Sequence, residues 1–217
     1  MRIDIFSDPI CPWCYIGKRR LEQALASYHN PLKDLEIVWR AFQLNPDMPE
    51  EGMDRQIYLT NKFGGEERAR QIYQNIKQVG EAVELDFQFD AIRHTPSTIK
   101  SHRLIRLAHG MGKQNDFTEE LFKAYFLEGQ NIGDNEVLLK IATEAGMEKE
   151  STTDFLASDR LKLEVIEEDK QARAVGLNGV PCFIVDNKFV LSGAQEPQSI
   201  QQVFDLALQE SGELETA

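Results

Sequence analysis

Cysteine is scarce in this chain: Cys11, Cys14 and Cys182 are the only three in 217 residues. That scarcity excludes a framework of structural bridges, and a chain of this length buries enough apolar surface to fold without one. Positive charge is also in deficit, with 24 Lys and Arg against 36 Asp and Glu, a formal net charge of -12 and a pI near 4.8. Such a balance repels phosphate backbones and anionic lipid, which argues against nucleic acid or a membrane surface as partner. Lys18-Arg19-Arg20 is the densest basic run, and it reads as a solvated helix face. Long apolar runs are missing too. No window approaches a membrane span, and the opening MRIDIF sets Asp4 inside a short apolar run where a secretory leader would be uninterrupted. The location expected from these features is cytoplasmic.

What is present falls into three stretches. Residues 2 to 7 (RIDIFS) suit a short strand, and after the breaker Asp8-Pro9 the residues Ile16, Leu21, Leu25 and Tyr28 keep helical spacing. Asn30-Pro31 closes that helix, and Leu35 to Leu44 (LEIVWRAFQL) predicts a second strand covered on both faces. Strand, helix, strand of this length makes a right-handed parallel unit. From Asn45 onward Pro46 and Pro49 mark a linker, and the next hundred-odd residues are helical in period with little strand character. Phe117, Leu121, Phe122 and Tyr125 mark one helix; Val137, Leu138, Ile141 and Ala145, stopped by Gly146, mark another; a charged helix with Leu161 and Val165 runs to about Gly176.

Strand character returns in Cys182–Val185 and Phe189–Leu191, joined through Asp186-Asn187, residues that accept the positive φ of a tight hairpin. Pro197 opens a last helix with Ile200, Val203, Phe204 and Ala207 on one face, and the tail from Gly212 is expected to fray. There is no internal repeat and no low-complexity tract.

The chemistry concentrates in Cys11-Pro12-Trp13-Cys14. Two intervening residues place both sulfurs on one side of a first helical turn, within reach of a disulfide, and Pro12 suits the first helical position. At the helix start Cys11 meets unpaired backbone N–H groups and the positive end of the dipole, which stabilise a thiolate. Cys14, one turn deeper, is expected to be shielded. The pattern predicts attack by Cys11 on a disulfide and resolution of the mixed disulfide by Cys14. A zinc site would need about two more ligands. No second close cysteine pair exists, and His29, His94, His102 and His109 form no short ligand pair, so no metal is expected. Gly179-Val180-Pro181 before a strand is a second signal, because proline lacks a ladder donor and is tolerated at a strand's first residue or in a cis turn.

CPWC after an N-terminal strand, a long helical insertion, and GVPCF followed by SGAQ resemble the DsbA family, and specifically its FrnE-like branch, over nearly the whole chain. The segment from Phe122 to Phe126 and from Glu128 to Asp134 resembles that branch, and Ser101-His102-Arg103-Leu104 resembles a recurrent family segment. The resemblance implies an α/β, thioredoxin-like fold from residues 1 to 44 and 177 to 217, interrupted by an all-helical insertion domain over 45 to 176, with the cysteine pair in a cleft between them. It implies a thiol-disulfide oxidoreductase with Cys11 as nucleophile and Cys14 as resolving thiol. Pro181 would be a cis-proline beside the pair, leaving the Val180 backbone to an extended substrate. Pro12, Trp13, Val180, Pro181 and Cys182 are the expected substrate contacts. No bound cofactor is implied; glutathione or a thioredoxin system would serve as redox partner for a thiol or disulfide substrate, protein or small.

Two departures stand out. Relatives often carry a buried carboxylate six residues before the first cysteine, where this chain has Ile5, so neither Asp4 nor Asp8 can be assigned a proton-carrying role. After the cis-proline they commonly have threonine, and here Cys182 is expected to touch the Cys11 environment without bridging to it. Trp13 is expected either to pack over the pair or to cap a core, and His102 to be a satisfied or exposed histidine. Phe63-Gly64-Gly65 fits a plain helix connection. The rival readings are a glutathione-dependent isomerase or transferase, similar to 2-hydroxychromene-2-carboxylate isomerase or kappa-class glutathione transferase, which usually have serine at the Cys11 position, and a non-catalytic chaperone-like binding module.

Overall fold

The computed structural model describes residues 1–212, so the polar tail expected beyond Gly212 lies outside the described residues. Strand β1 (Arg2–Ser7) alternates buried Ile3 and Ile5 on one face with Asp4 and Phe6 on the other. The breaker Asp8-Pro9 turns the chain into α1 (Pro12–Ser27), which returns it to β2 (Glu36–Ala41), paired in parallel with β1 along its whole length. The second strand is shorter than the run from Leu35 to Leu44 suggested. Phe42, Gln43 and Leu44 leave the ladder, and the backbone N–H groups of Gln43 and Leu44 donate instead to the carboxylates of Asp169 and Asp8.

The helical stretch contains α2 (Arg55–Phe63), α3 (Glu66–Glu81), α4 (Ile99–His109), α5 (Gln114–Phe126), α6 (Asn135–Glu144), α7 (Lys149–Leu156) and α8 (Lys162–Ala174). It also holds one two-residue ladder that periodicity did not reveal, β3 (Met53–Asp54) against β4 (His94–Thr95), too short to show alternation. Gly64, with φ of +75°, ends α2 in the left-handed region, the cap expected of a plain helix connection at Phe63-Gly64-Gly65. Asp54, Asp134 and Glu148 accept the first free N–H groups of α2, α6 and α7, satisfying donors that a helix leaves open at its start.

The chain then rejoins the sheet as β5 (Cys182–Val185), antiparallel to β1, and β6 (Phe189–Ser192), antiparallel to β5. Their hairpin turns on Asp186 and Asn187, at φ of +48° and +56°. The sheet order is β2-β1-β5-β6, and α9 (Pro197–Ser211) packs beside α1. An aromatic cluster joins the helices to α1: Tyr15 stacks on Phe122 at 4.9 Å between ring centres and stands edge-on to Phe87 at 6.2 Å. This α/β sheet with a large helical stretch inserted between β2 and β5 matches the fold class expected.

Lys18-Arg19-Arg20 is not the solvated basic face that its charges suggested. Lys18 is buried and its Nζ lies 2.7 Å from Glu119 on α5 and against Glu22; Arg19 Nη2 is 2.5 Å from Glu119, and the Tyr15 hydroxyl donates to the same carboxylate at 2.8 Å. Lys18 and Arg19 face α5 and share Glu119 and Glu22, while Arg20 turns the other way to Glu196 before α9; a sequence pattern shows the charges but not what they face.

Candidate active site

The sheet places three segments around the start of α1: the turn leaving β1, the loop entering β5, and the end of β2. Cys11 is the N-cap of α1, with extended backbone (φ -94°, ψ 111°), its N–H donating to the Asp8 carbonyl at 2.9 Å and its carbonyl accepting from the Cys14 N–H at 3.0 Å. Pro12 follows, buried, as first residue of the helix, where its missing N–H has no partner to lose. Cys11 and Cys14 are both buried and both free thiols. Burial pushes the Cys14 thiol well above the ordinary cysteine value, and a hydrogen bond and charge from Cys11 push it the same way. The Ser7 hydroxyl and the Asp8 backbone pull in the other direction.

The second wall is the loop before β5. The Val180–Pro181 peptide bond is cis, and the Cys11 Sγ lies 3.6 Å from the Val180 carbonyl oxygen. Pro181 is buried and its carbonyl accepts from Gly193, while Gly179 is exposed and Val180 half-buried. Close approach of helix and loop depends on a residue that sequence reasoning passed over, Gly17. A Cβ there would lie 2.9 Å from Pro181 Cγ and 3.2 Å from Phe183 Cζ. Its signal was a glycine inside a helix, which costs about 1 kcal/mol against alanine and usually has a packing reason.

Trp13 is half-buried and packs against the main core cluster. Cys182 is brought elsewhere. Phe183 meets α1 at Gly17, and strand alternation turns Cys182 to the other face of the sheet, opposite Ser192 on β6. Burial raises its thiol, the Ser192 hydroxyl opposes that, and the thiol is not part of the cluster that holds Cys11 and Cys14.

Behind the pair lies a buried polar group that the sequence did not disclose. Asp8 is fully buried; its Oδ2 accepts from the Leu44 N–H at 2.6 Å and its Oδ1 from the Ile10 N–H at 3.3 Å. Burial lifts its pKa to about 6 even against those donors. His102 of α4 sits with Nε2 3.9 Å from Asp8 Oδ1, 2% exposed, and that nitrogen has no hydrogen-bond partner among the described residues. His102 is therefore not exposed, and it is satisfied on one side only, by the backbone of Phe42. α4 packs on the end of β2 and carries the ring inside, and burial lowers its pKa to about 4. Among the described residues no group of three or more His, Cys, Asp and Glu side chains is placed to hold a metal ion, and no helix is long and apolar enough to cross a membrane.

Comparison with known proteins agrees with this fold. Residues 2–205 match the model of a family described as DSBA-like thioredoxin domain. The chain resembles a probable DsbA oxidoreductase, SCO1869, from Streptomyces coelicolor, at 30% identity and TM-score 0.86, over 100% of this chain and 92% of that one. YwbO of Bacillus subtilis is 26% identical over 195 residues, 89% of this chain and 90% of that protein. At 17% identity the fold is shared with the cytosolic disulfide reductase DsbM of Pseudomonas aeruginosa, solved with GSH, at TM-score 0.66 over 96% of this chain and 100% of that one.

Proposed function

The chain belongs to the DSBA-like thioredoxin domain family, and from that premise we propose that it is a thiol-disulfide oxidoreductase of the FrnE-like branch working through Cys11 and Cys14. One observation carries the reading: two free thiols share the first turn of α1, one at the N-cap beside the Val180 carbonyl and the other buried behind it and interacting with the first. Cys11, as thiolate, attacks one sulfur of a substrate disulfide; the substrate S–S bond breaks, one substrate thiolate leaves, and a mixed disulfide forms on Cys11. Cys14 then loses its proton and attacks the Cys11 sulfur, expelling the second substrate thiolate. The substrate gains two electrons, and the enzyme retains a Cys11–Cys14 disulfide for an external thiol to reduce.

The order of steps follows from the electrostatics. Negative charge on Cys11 helps hold the proton on Cys14, so the resolving thiol stays protonated while Cys11 is the nucleophile. Once Cys11 is in a mixed disulfide that charge is gone, and Cys14 ionises more readily at the moment it is needed. Pro12, Trp13, Val180 and Pro181 would form the substrate wall, with the half-buried Val180 backbone offered to an extended segment; Cys182, facing Ser192, would contribute volume only.

We place the reaction in the cytoplasm, in the reducing or isomerising direction, with glutathione or a thioredoxin system as the external thiol. The chain's composition and the location and ligand of the DsbM structure support this. The two cysteines favour dithiol exchange over a glutathione-dependent isomerase, which needs no partner thiol in the protein. The test is trapping: a Cys14→Ser variant should accumulate a mixed disulfide with a disulfide-bonded substrate, and Cys11→Ser should form none and lose reductase activity. Full activity in the Cys11→Ser, Cys14→Ser double variant would overturn the reading.

A further inference from the structure

The helix α2 begins with a buried cation. Arg55 is 4% exposed; its Nη2 donates to the Tyr73 hydroxyl at 2.8 Å, and its Nη1 to Thr95 Oγ1 at 3.1 Å and the Tyr125 hydroxyl at 3.4 Å. Its guanidinium carbon lies 5.1 Å and 5.5 Å from the ring centres of Tyr73 and Tyr58. Burial raises the Tyr73 and Tyr125 hydroxyls, so neither supplies a negative charge to the guanidinium. Other buried or half-buried cations here are neutralised or capped: Lys18 by Glu119, Arg40 by Asp4, and Arg103 by three helix-end carbonyls. Arg55 has no carboxylate within ion-pair distance among the described residues. Three of its five N–H bonds are used, leaving Nε and one N–H of Nη2.

Arg55 lines a cavity of about 480 Å³, within the usual range for small-molecule sites. The other charges around it are Arg70, Lys77 and Arg93 against Glu66 and Asp90, so the lining is net cationic in a chain that carries -12 overall. Arg70 and Lys77 pair outward with Glu67 and Asp86; the buried guanidinium is what the interior offers. Tyr73, Phe87 and Phe89 supply the aromatic wall. The cavity lies beside the helix that carries the thiols: Phe87 stands edge-on to Tyr15, the residue after Cys14, and α3, which bears Tyr73, packs against α1.

We infer that this cavity binds a small molecule bearing a carboxylate, gripped by the free donors of Arg55 with its apolar part against Tyr73, Phe87 and Phe89, and that the sulfur of such a substrate is presented to Cys11. An arginine fork matches a carboxylate bidentately, and a desolvated one gains most from such a partner. The second half of the inference rests on the exchange reading; the first does not.

Two disulfides of similar size separate the possibilities, dithiodiglycolate with a carboxylate at each end and hydroxyethyl disulfide with none. Arg55→Met should lower the ratio of kcat/KM for dithiodiglycolate over hydroxyethyl disulfide about 10- to 100-fold, the loss of one or two charge-assisted hydrogen bonds. Arg55→Lys, which keeps the charge but not the fork, should fall between. The redox-inert thioether thiodiglycolate should shift amide resonances of α2 and α3 in the wild-type protein, and should do so far less in Arg55→Met. An unchanged ratio in a folded variant, or no thiodiglycolate shift in the wild type, overturns the inference. Should Arg55→Met not fold, Arg55→Lys and the wild-type titration decide. If the wild type turns over neither disulfide, the exchange reading fails and the titration still judges the cavity.

Discussion

His102 and Asp8 face each other in a buried site, and their titrations act on stability in opposite directions. His102 is held neutral by burial, with a folded value of about 4 against an ordinary 6.5. A depressed histidine means that the unfolded chain binds more protons between those values, so its contribution is full above about pH 6.5 and is lost as pH falls toward 4. Asp8 is pushed by burial from 3.8 to about 6. For a raised carboxylate the folded chain binds more protons, so the contribution is full at acid pH and is lost as pH rises from about 4 through 6. Each shift is two units or slightly more, and at about 1.4 kcal/mol per unit each group changes stability by about 2 kcal/mol between pH 4.5 and 7.

In the wild type the two slopes nearly cancel; single substitutions unmask them. Relative to wild type, His102→Leu should lose about 2 kcal/mol of stability on going from pH 4.5 to 7, and Asp8→Asn should gain about as much. PH-independent offsets from lost hydrogen bonds, about 1 kcal/mol each, do not enter that difference. Urea unfolding of the three proteins at half-unit pH steps measures it, and carboxylates paired elsewhere cancel in the comparison. Asp4 is one such group: burial pushes it up, but Arg2 and Arg40 outweigh that and hold it below the usual value. Variant-minus-wild-type differences that stay flat within about 0.5 kcal/mol across the window would show that neither group is held in its neutral form, and the electrostatic account of this site would be wrong.

Three other outcomes follow from the contacts. Gly17→Ala should destabilise by about 1–2 kcal/mol, because overpacking against Pro181 and Phe183 exceeds the gain of about 1 kcal/mol in helix propensity; a thermal melt at or above the parent's would refute the close-approach argument. Glu119→Ala should cost about 3 kcal/mol by leaving the buried Lys18 with only the half-buried Glu22 as carboxylate partner and by removing the ion pairs between α1 and α5, and an unchanged urea midpoint would argue against it. Cys182→Ser should leave the oxidised pair intact: peptide mapping after mild oxidation should give a Cys11–Cys14 bridge in both proteins, and a dominant bridge to Cys182 would contradict its placement against Ser192.

Local patterns are legible in a sequence when the chemistry they need is carried by neighbours in the chain. The strand before CPWC, Pro12 at the first helical position, the Asp186-Asn187 hairpin and the proline at Pro197 all depend on backbone preferences within a few residues, and the structure has each where spacing put it. The helical period of 99 to 174 survives because each amphipathic face needs only some apolar partner. Boundaries were harder: Gln43 and Leu44 look like strand, yet their N–H groups are taken by carboxylates from elsewhere in the chain.

The chain order alone determined an α/β sheet interrupted by helices, with a close thiol pair opening the first helix. Tertiary structure decided the surroundings that give the pair its character. Asp8 and His102 are 94 positions apart, and only the docking of α4 on the end of β2 makes them a buried, partly unsatisfied pair. Lys18 became a buried ion-pair member through Glu119, Gly17 became a close-contact position through Pro181, and Arg55 became an interior cation with no carboxylate partner among the described residues, held by three hydroxyls from other segments. Desolvation is a property of everything packed around a group. No window of sequence contains it.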